Sequence, residues 1–242
     1  MIIAQLSDIH ADGSEKALDR LDKVLDWLAP LEPDALIVSG DLAEAEQHQS
    51  YKEVRARLER VECPYAVVPG NVDDRGGMRE AFGDRFDWPE DGPLNSALSV
   101  SGVRMIGLDV TVPGAHHGDA GPILPWLEQQ LGSGGSPALI FMHQHPFHCG
   151  IDNKDRNKCR NEEALSDVIG RASDVVLGVT CGHVHRPMFT RFAGLPASMS
   201  PSVTKANKLR LDGKEPSISD PPGLLIHHIS EGRLVTHVVM VD

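Results

Sequence analysis

An α/β layered fold is what this sequence predicts, and three observations predict it. Short apolar runs alternate with helix-period segments from Ile2 to Val68, and strand–helix–strand–helix–strand at that pitch is the signature of parallel βαβ units. The composition, 40 % hydrophobic and 24 % charged, is that of a globular chain, which excludes disordered and low-complexity classes. A length of 242 residues fits one domain, 1–242, since domains usually run to about 100–200 residues.

Ile2–Leu6 is a buried strand, apolar until it meets Ser7 and Asp8. Ala17, Leu18, Leu21, Val24, Leu25 and Leu28 recur at helical spacing, and Pro30 and Pro33 stop that helix. Residues 35–38 form a second strand ending in Ser39-Gly40-Asp41, a charged helix covers 50–60, and Tyr65–Val68 is a third strand ending in Pro69-Gly70-Asn71. Residues 97–100 and 104–108, split by Gly102, read as a hairpin, and 123–131 as a helix. The Gly/Ser-rich stretch 132–137 is a flexible connector. Strand Ala138–Met142, helix Glu162–Arg171 and a strand over 175–180 follow. Beyond Gly182 the pattern becomes short strands and turns, finishing with 224–229 and Arg233–Met240 as an antiparallel pair. The polar, Pro-containing stretch 208–222 is expected to be a mobile loop, and no internal repeat is visible.

Charge narrows the function. Lys+Arg 23 against Asp+Glu 35 leaves a net charge of −12, so the broad basic face that binds nucleic-acid polymers is missing. No polybasic patch addresses an anionic membrane, and no apolar run approaches the roughly 18–20 residues of a transmembrane helix. The N-terminus lacks the basic region of a signal peptide, and the four cysteines, Cys63, Cys149, Cys159 and Cys181, form no Cys-x-x-Cys pair; a cytoplasmic setting with reduced thiols is expected. No Gly-x-Ser-x-Gly, Gly-x-Gly-x-x-Gly or P-loop occurs. What stands out is 12 histidines beside 35 carboxylates, the residue types that hold metal ions.

Five strand ends carry them: Asp8-Ile9-His10, Gly40-Asp41, Gly70-Asn71-Val72-Asp73, His143-Gln144-His145 and Gly182-His183-Val184-His185. In parallel α/β sheets ligands bind at the carboxyl ends of strands, so these segments should converge on one rim. Glycine before Asp41, Asn71 and His183 would permit a sharp exit from each strand. The converging set is Asp8, His10, Asp41, Asn71, His143, His183 and His185. Three oxygen donors and four imidazoles exceed what one tetrahedral zinc uses; with one carboxylate bridging, they suit two divalent ions about 3.5–4 Å apart. Mixed N/O ligation favours Mn²⁺, Fe²⁺/Fe³⁺ or Zn²⁺. Taken singly, Asp8 and Asp41 also read as helix caps or turn formers, Asn71 as a tight-turn residue, and His183 and His185 as surface histidines. His143 is preferred to His145 as the ligand because it directly follows its strand.

The arrangement resembles the calcineurin-like metallophosphoesterase superfamily. That pattern runs Asp-x-His, Gly-Asp, Gly-Asn-His-Asp/Glu, His, Gly-His-x-His, and four of its five blocks are intact here in the right order. Phe141-Met-His-Gln-His-Pro-Phe-His-Cys-Gly150 is most similar to the bacterial class III cyclic-nucleotide phosphodiesterases and glycerophosphodiesterases. The resemblance implies two mixed sheets packed face to face and flanked by helices. It implies that Asp8, His10 and His185 hold one metal, that Asn71, His143 and His183 hold the other, and that Asp41 bridges them. It implies a hydroxide bridging the ions as nucleophile towards a small-molecule phosphodiester, and relatives that often form homodimers.

One position departs. Val72 stands where the family usually has the histidine that contacts phosphate or protonates the leaving oxygen, help typically worth about 10²–10⁴-fold. His145, Gln144, His148, the His116-His117 pair or Lys205 would be the substitutes, with Asn71, His145 and Asp41 the expected catalytic residues and His145, Lys205 and His117 the expected substrate contacts. Phosphomonoesterase activity, or a non-catalytic scaffold of the same fold, is the alternative that Val72 raises. Asp73, Asp74, His227, His228 and His237 are expected outside the ligand set, solvated or supporting it.

Overall fold

A computed structural model describes residues 1–44, 47–132, 135–209, 217–218 and 220–242. The chain begins β1 (Ile2–Leu6), α1 (Glu15–Leu28), β2 (Ala35–Ser39), α2 (His48–Leu58), β3 (Tyr65–Val68), α3 (Arg75–Phe82). It continues β4 (Ser96–Val100), β5 (Val103–Leu108), β6 (Gly118–Asp119), α4 (Leu124–Gly132), β7 (Ala138–Met142), α5 (Asp152–Arg156), β8 (Cys159–Arg160), α6 (Glu162–Arg171). It ends β9 (Val176–Cys181), β10 (Met188–Phe192), β11 (Leu195–Met199), β12 (Ala206–Asn207), β13 (Ser217–Ile218), β14 (Gly223–Ser230) and β15 (Arg233–Met240).

Two mixed sheets form the centre. One has the order β15-β14-β1-β2-β3, the other β10-β11-β9-β7-β5-β4. β1, β2 and β3 are parallel, and β14 and β15 join them antiparallel. β5, β7, β9 and β11 are parallel, with β4 and β10 antiparallel at the margins. The sheets face each other across Ile3, Ile37 and Val68 on one side and Met105, Leu139 and Phe141 on the other. The outer face of the first sheet (Ala4, Leu6, Leu36, Val38) packs on Leu18, Leu21, Val24 and Leu28 of α1, the stripe the spacing predicted. The second sheet packs Ile140 and Met142 on Leu127, Leu165 and Ile169 of α4 and α6. Full burial of each such side chain is worth about 1.5–3 kcal/mol.

Strand alternation then sets up the functional end. In β1, Ile3 points into the interlayer and Ala4 and Leu6 point to α1, so Gln5 shares the inward file with Ile3. Gln5 Nε2 donates to Ser39 Oγ at 2.8 Å and to the Cys181 carbonyl at 3.2 Å. Gln5 Oε1 accepts from Thr180 Oγ1 at 2.6 Å and from His227 Nε2 at 2.9 Å, while Thr236 Oγ1 lies 2.9 Å from His227 Nδ1. This chain of bonds gives His227 the Nε2–H tautomer and joins the two sheets below the rim. His227 is therefore fully buried structure, whereas His228 and His237 are exposed.

One helix, α3, was not read from the sequence, and the short strands expected beyond Gly182 take a definite form. α3 is a helix despite Gly76 and Gly77, because the Asp74 side chain caps it, accepting from the Gly77 N–H at 2.6 Å. Residues 188–199 close as the β10–β11 hairpin. The stretches 132–137 and 208–222 fall partly outside the described residues, which omit 133–134, 210–216 and 219. Among the described residues, no helix is long and apolar enough to cross a membrane.

Candidate metal centre

The parallel strands deliver their carboxyl ends to one rim, and backbone bonds fix the ends to one another. Asp8 N–H donates to the Gly40 carbonyl and His10 N–H to the Asp41 carbonyl, both at 3.0 Å, and Gly182 N–H donates to the His143 carbonyl at 3.1 Å. Asp8, His10, Asp41, His183 and His185 all have positive φ, from 49° to 73°. The left-handed region costs an ordinary residue about 1–2 kcal/mol, and Asp and His are among the residues enriched there. Such strain persists only where the surroundings impose it, and it gathers at functional sites.

The three glycines serve two purposes. Gly40 has φ +92°, and a Cβ there would lie 2.6 Å from His143 Nδ1. Gly70 and Gly182 have ordinary φ; a Cβ would collide with the Asp41 side chain at the first and with Ser7 Oγ at the second. The expected sharp exit is thus a matter of backbone freedom at Gly40 alone. At the other two positions, glycine lets neighbouring chain segments approach.

The predicted side chains meet. His185 Nε2 is 3.1 Å from Asp8 Oδ1 and 3.3 Å from His10 Nε2, and His10 Nε2 is 3.4 Å from Asp41 Oδ2. On the other side of Asp41, the same Oδ2 is 3.1 Å from His143 Nε2. The His143 and His183 rings stand 5.1 Å apart, centroid to centroid. One donor atom from each of Asp8, His10, Asp41 and His185 lies within 4.8 Å of all the others. Asn71 Oδ1, His143 Nε2 and His183 Nε2 are buried without a hydrogen-bond partner. Burying such atoms unpaired costs about 1–3 kcal/mol each, a cost that a bound cation removes, so the residues present fit a bound divalent metal.

Three of the four imidazoles are aimed by a bond on the far side of the ring. His10 Nδ1 is 2.9 Å from Glu44 Oε1, His143 Nδ1 is 2.8 Å from the Ser39 carbonyl, and His185 Nδ1 is 2.8 Å from the Lys205 carbonyl. An Nδ1–H spent on an acceptor leaves the Nε2 lone pair free for a cation. Sequence reasoning missed Glu44 and both carbonyls; a main-chain oxygen carries no signature in the sequence, and Glu44 resembles any surface glutamate. Asp73, expected to be solvated or supporting, accepts the Gly70, Leu42 and Ala43 N–H groups at 2.8, 2.9 and 3.1 Å, bracing the turns that carry Asn71 and Asp41. Val72 contributes its N–H to Asp41 Oδ1 at 3.0 Å.

Electrostatics follow from burial and charge. Burial disfavours the charged form of His143, but the Asp41 carboxylate beside it wins and pushes it up to about 9. At His10, burial is likewise overcome by the Glu44 bond and by Asp41 and Asp8, again to about 9. Burial would raise Asp8 and Asp41, yet His185 and His143 respectively hold them well below the usual carboxylate range. His183 is driven far down by burial and by His143. Protons on His10 and His143 thus balance the carboxylates, the role a dication takes over when it binds and releases them.

The remaining sequence candidates lie around this cluster. His145 is fully buried, its ring 5.8 Å from that of His183, and burial lowers its pKa to about 4. It therefore presents no surface for touching a substrate. His117 is half-buried on a loop that Gln144 Nε2 ties down through the His116 carbonyl, at 3.4 Å. Lys205 is exposed.

Comparison with known proteins gives the family and the fold. The family model described as Calcineurin-like phosphoesterase matches residues 1–187. The chain is 32 % identical to a probable glycerophosphodiester phosphodiesterase, GpdQ, of Arcobacter nitrofigilis, covering 98 % of this chain and 92 % of that one. It is 31 % identical to a cAMP/cGMP dual specificity phosphodiesterase of Mycobacterium tuberculosis, covering 82 % and 66 %. Its fold matches that of a dimetal phosphatase from Danio rerio with a TM-score of 0.70 at 14 % identity, over 100 % and 99 % of the two chains.

Proposed function

Because the chain belongs to the calcineurin-like phosphoesterase family, and is with its relatives a phosphoric diester hydrolase, we propose that it cleaves a small-molecule phosphodiester with two divalent metal ions. Asp8, His10 and His185 would hold one ion, Asn71, His143 and His183 the other, and Asp41 both. The observation that carries this is the placement of Asp41 Oδ2, 3.4 Å from His10 Nε2 and 3.1 Å from His143 Nε2, between the two donor sets. Mn²⁺, Fe²⁺/Fe³⁺ and Zn²⁺ all suit such N/O donors.

A phosphodiester anion resists attack by an anion, and neutral water is a weak nucleophile. Bound divalent cations supply both remedies, an acidified water and neutralised phosphate oxygens. The chain's own residues do the rest. Glu44, Ser39 and Lys205 hold three imidazoles with Nε2 inward, and burial shields Asp8, Asp41, His143 and His183 from solvent. Asn71 and Asp41 act as donors at the reacting centre, and His145 supports His183 from behind. His117 and Lys205 are the side chains left to meet the departing group, since Val72 has no proton to offer.

The relatives named above are a glycerophosphodiester and a cyclic-nucleotide phosphodiesterase, and these are the substrate classes proposed; a net charge of −12 disfavours nucleic-acid polymers. A scaffold reading would lead one to expect eroded donors, and all seven positions carry competent ones. The test is a turnover panel on Mn²⁺-loaded protein: a bis-aryl phosphodiester, an aryl phosphomonoester, 3′,5′- and 2′,3′-cyclic nucleotides, and glycerophosphocholine. Expected are turnover of diesters over the monoester, loss with a chelator and recovery with Mn²⁺. A protein that binds neither manganese nor zinc, or prefers the monoester, refutes the reading.

A further inference from the structure

Behind His183 lies a second group of metal-competent side chains to which the phosphodiesterase reading gives no ligand role. His145, Cys149 and Asp155 each offer an atom within 4.8 Å of the other two. His145 is fully buried, and neither of its ring nitrogens has a hydrogen-bond partner. Its Nε2 points at Asp155, 3.7 Å from Oδ1, and His148 Nδ1 lies 3.6 Å from Asp155 Oδ2. Donors on a tetrahedral zinc, at Zn–N of about 2.0 Å and Zn–S of about 2.3 Å, stand roughly 3.3–3.6 Å apart. The His145–Asp155 separation is close to that spacing, and Cys149 Sγ lies within 4.8 Å of a donor atom of each.

We propose that His145, Cys149 and Asp155 bind a zinc ion, separate from the phosphodiesterase pair, with a solvent water in the fourth position. The donor set of imidazole, thiolate and carboxylate suits a borderline-soft dication and not Mg²⁺ or Ca²⁺. Asp155 already accepts the Cys149 and Gly150 N–H groups, one on each oxygen, at 2.8 and 3.0 Å. A carboxylate oxygen has two lone pairs, so each keeps one for the metal, and these bonds hold the carboxylate still. Binding would release the Cys149 proton, as at any thiolate site.

The ion would be held by three protein donors. It would staple the loop from His145 to Asp155, which leans on the catalytic rim: Lys154 Nζ donates to the His183 carbonyl at 3.1 Å. The buried imidazole would then have the partner it lacks.

The test measures metal content and spectrum on the full chain. Wild type, Cys149→Ser, Asp155→Asn and, as comparator, Asp41→Asn are loaded with Zn²⁺, freed of excess metal and assayed by elemental analysis. In parallel, Co²⁺ is titrated in and the near-ultraviolet thiolate-to-cobalt band recorded. Expected is one equivalent fewer in Cys149→Ser and in Asp155→Asn than in wild type, with the thiolate band lost in Cys149→Ser and kept in Asp41→Asn. Unchanged metal content in Cys149→Ser, an absent thiolate band in wild type, or a Cys149–Cys159 disulfide in thiol counting overturns the proposal. The two readings fail separately. One equivalent in wild type that Cys149→Ser loses would sustain this site and sink the metal pair; two equivalents kept by Cys149→Ser would do the reverse.

Discussion

Replacing His227 with glutamine isolates the titration of an imidazole sealed between the two sheets. Burial depresses its pKa from 6.5 to about 3. A depressed folded-state value means that the unfolded chain takes up a proton first as pH falls. Stability from this group is therefore complete above pH 6.5 and drains away as pH drops towards 3. At pH 5, about 1.5 units below the unfolded value, the loss is about 2 kcal/mol at 1.36 kcal/mol per unit. For a chain of this size that corresponds to a melting temperature lower by about 4–8 °C. Glutamine keeps a donor for Gln5 and an acceptor for Thr236 but does not titrate. The assay is urea unfolding of both proteins at pH 8 and pH 5, with chelator throughout so that metal linkage is removed. Other groups titrate alike in the two proteins and cancel in the comparison. Wild type should lose about 2 kcal/mol more between the two pH values than His227→Gln. Equal losses would mean that His227 is solvated or already charged in the fold, and the buried network would have been misread.

Three further outcomes are expected. Val72→His should raise kcat on unactivated diesters by about 10²-fold or more and leave an aryl phosphodiester nearly unchanged; equal effects on both would separate this position from leaving-group protonation. Glu44→Ala frees the far side of the His10 ring and should weaken metal binding by about 10–100-fold, with little change in unfolding midpoint in chelator; metal titration by calorimetry checks it. Gly70→Ala drives a methyl group into Asp41 and should abolish metal retention while the far-ultraviolet circular dichroism stays native. Retained metal would show that the Asp41 carboxylate has room to move.

The residue types of the candidate metal centre, their order and their placement at strand ends were legible in the sequence, because period-two and helical patterns are local and every strand end is marked where an apolar run stops. The parallel βαβ start was legible for the same reason. The partners of His10, His143 and His185 were not: two are main-chain carbonyls and the third is Glu44, chosen by proximity across the rim. Nor could the sequence show that Asp8, His10, Asp41, His183 and His185 sit in the left-handed region, since these residue types take it at some positions and not at others, as tertiary contacts decide. His227 illustrates the same division. It lies 222 residues from Gln5, and only the antiparallel docking of β14 beside β1 turns an ordinary-looking histidine into a buried, uncharged link between sheets. His145 is the other case: its neighbours in the sequence suggest catalysis, and the packing of α5 against the rim surrounds it with a thiol and a carboxylate instead. Patterns along a chain record which faces are apolar; which polar groups meet is decided by long-range packing, where desolvation forces each buried donor to find an acceptor.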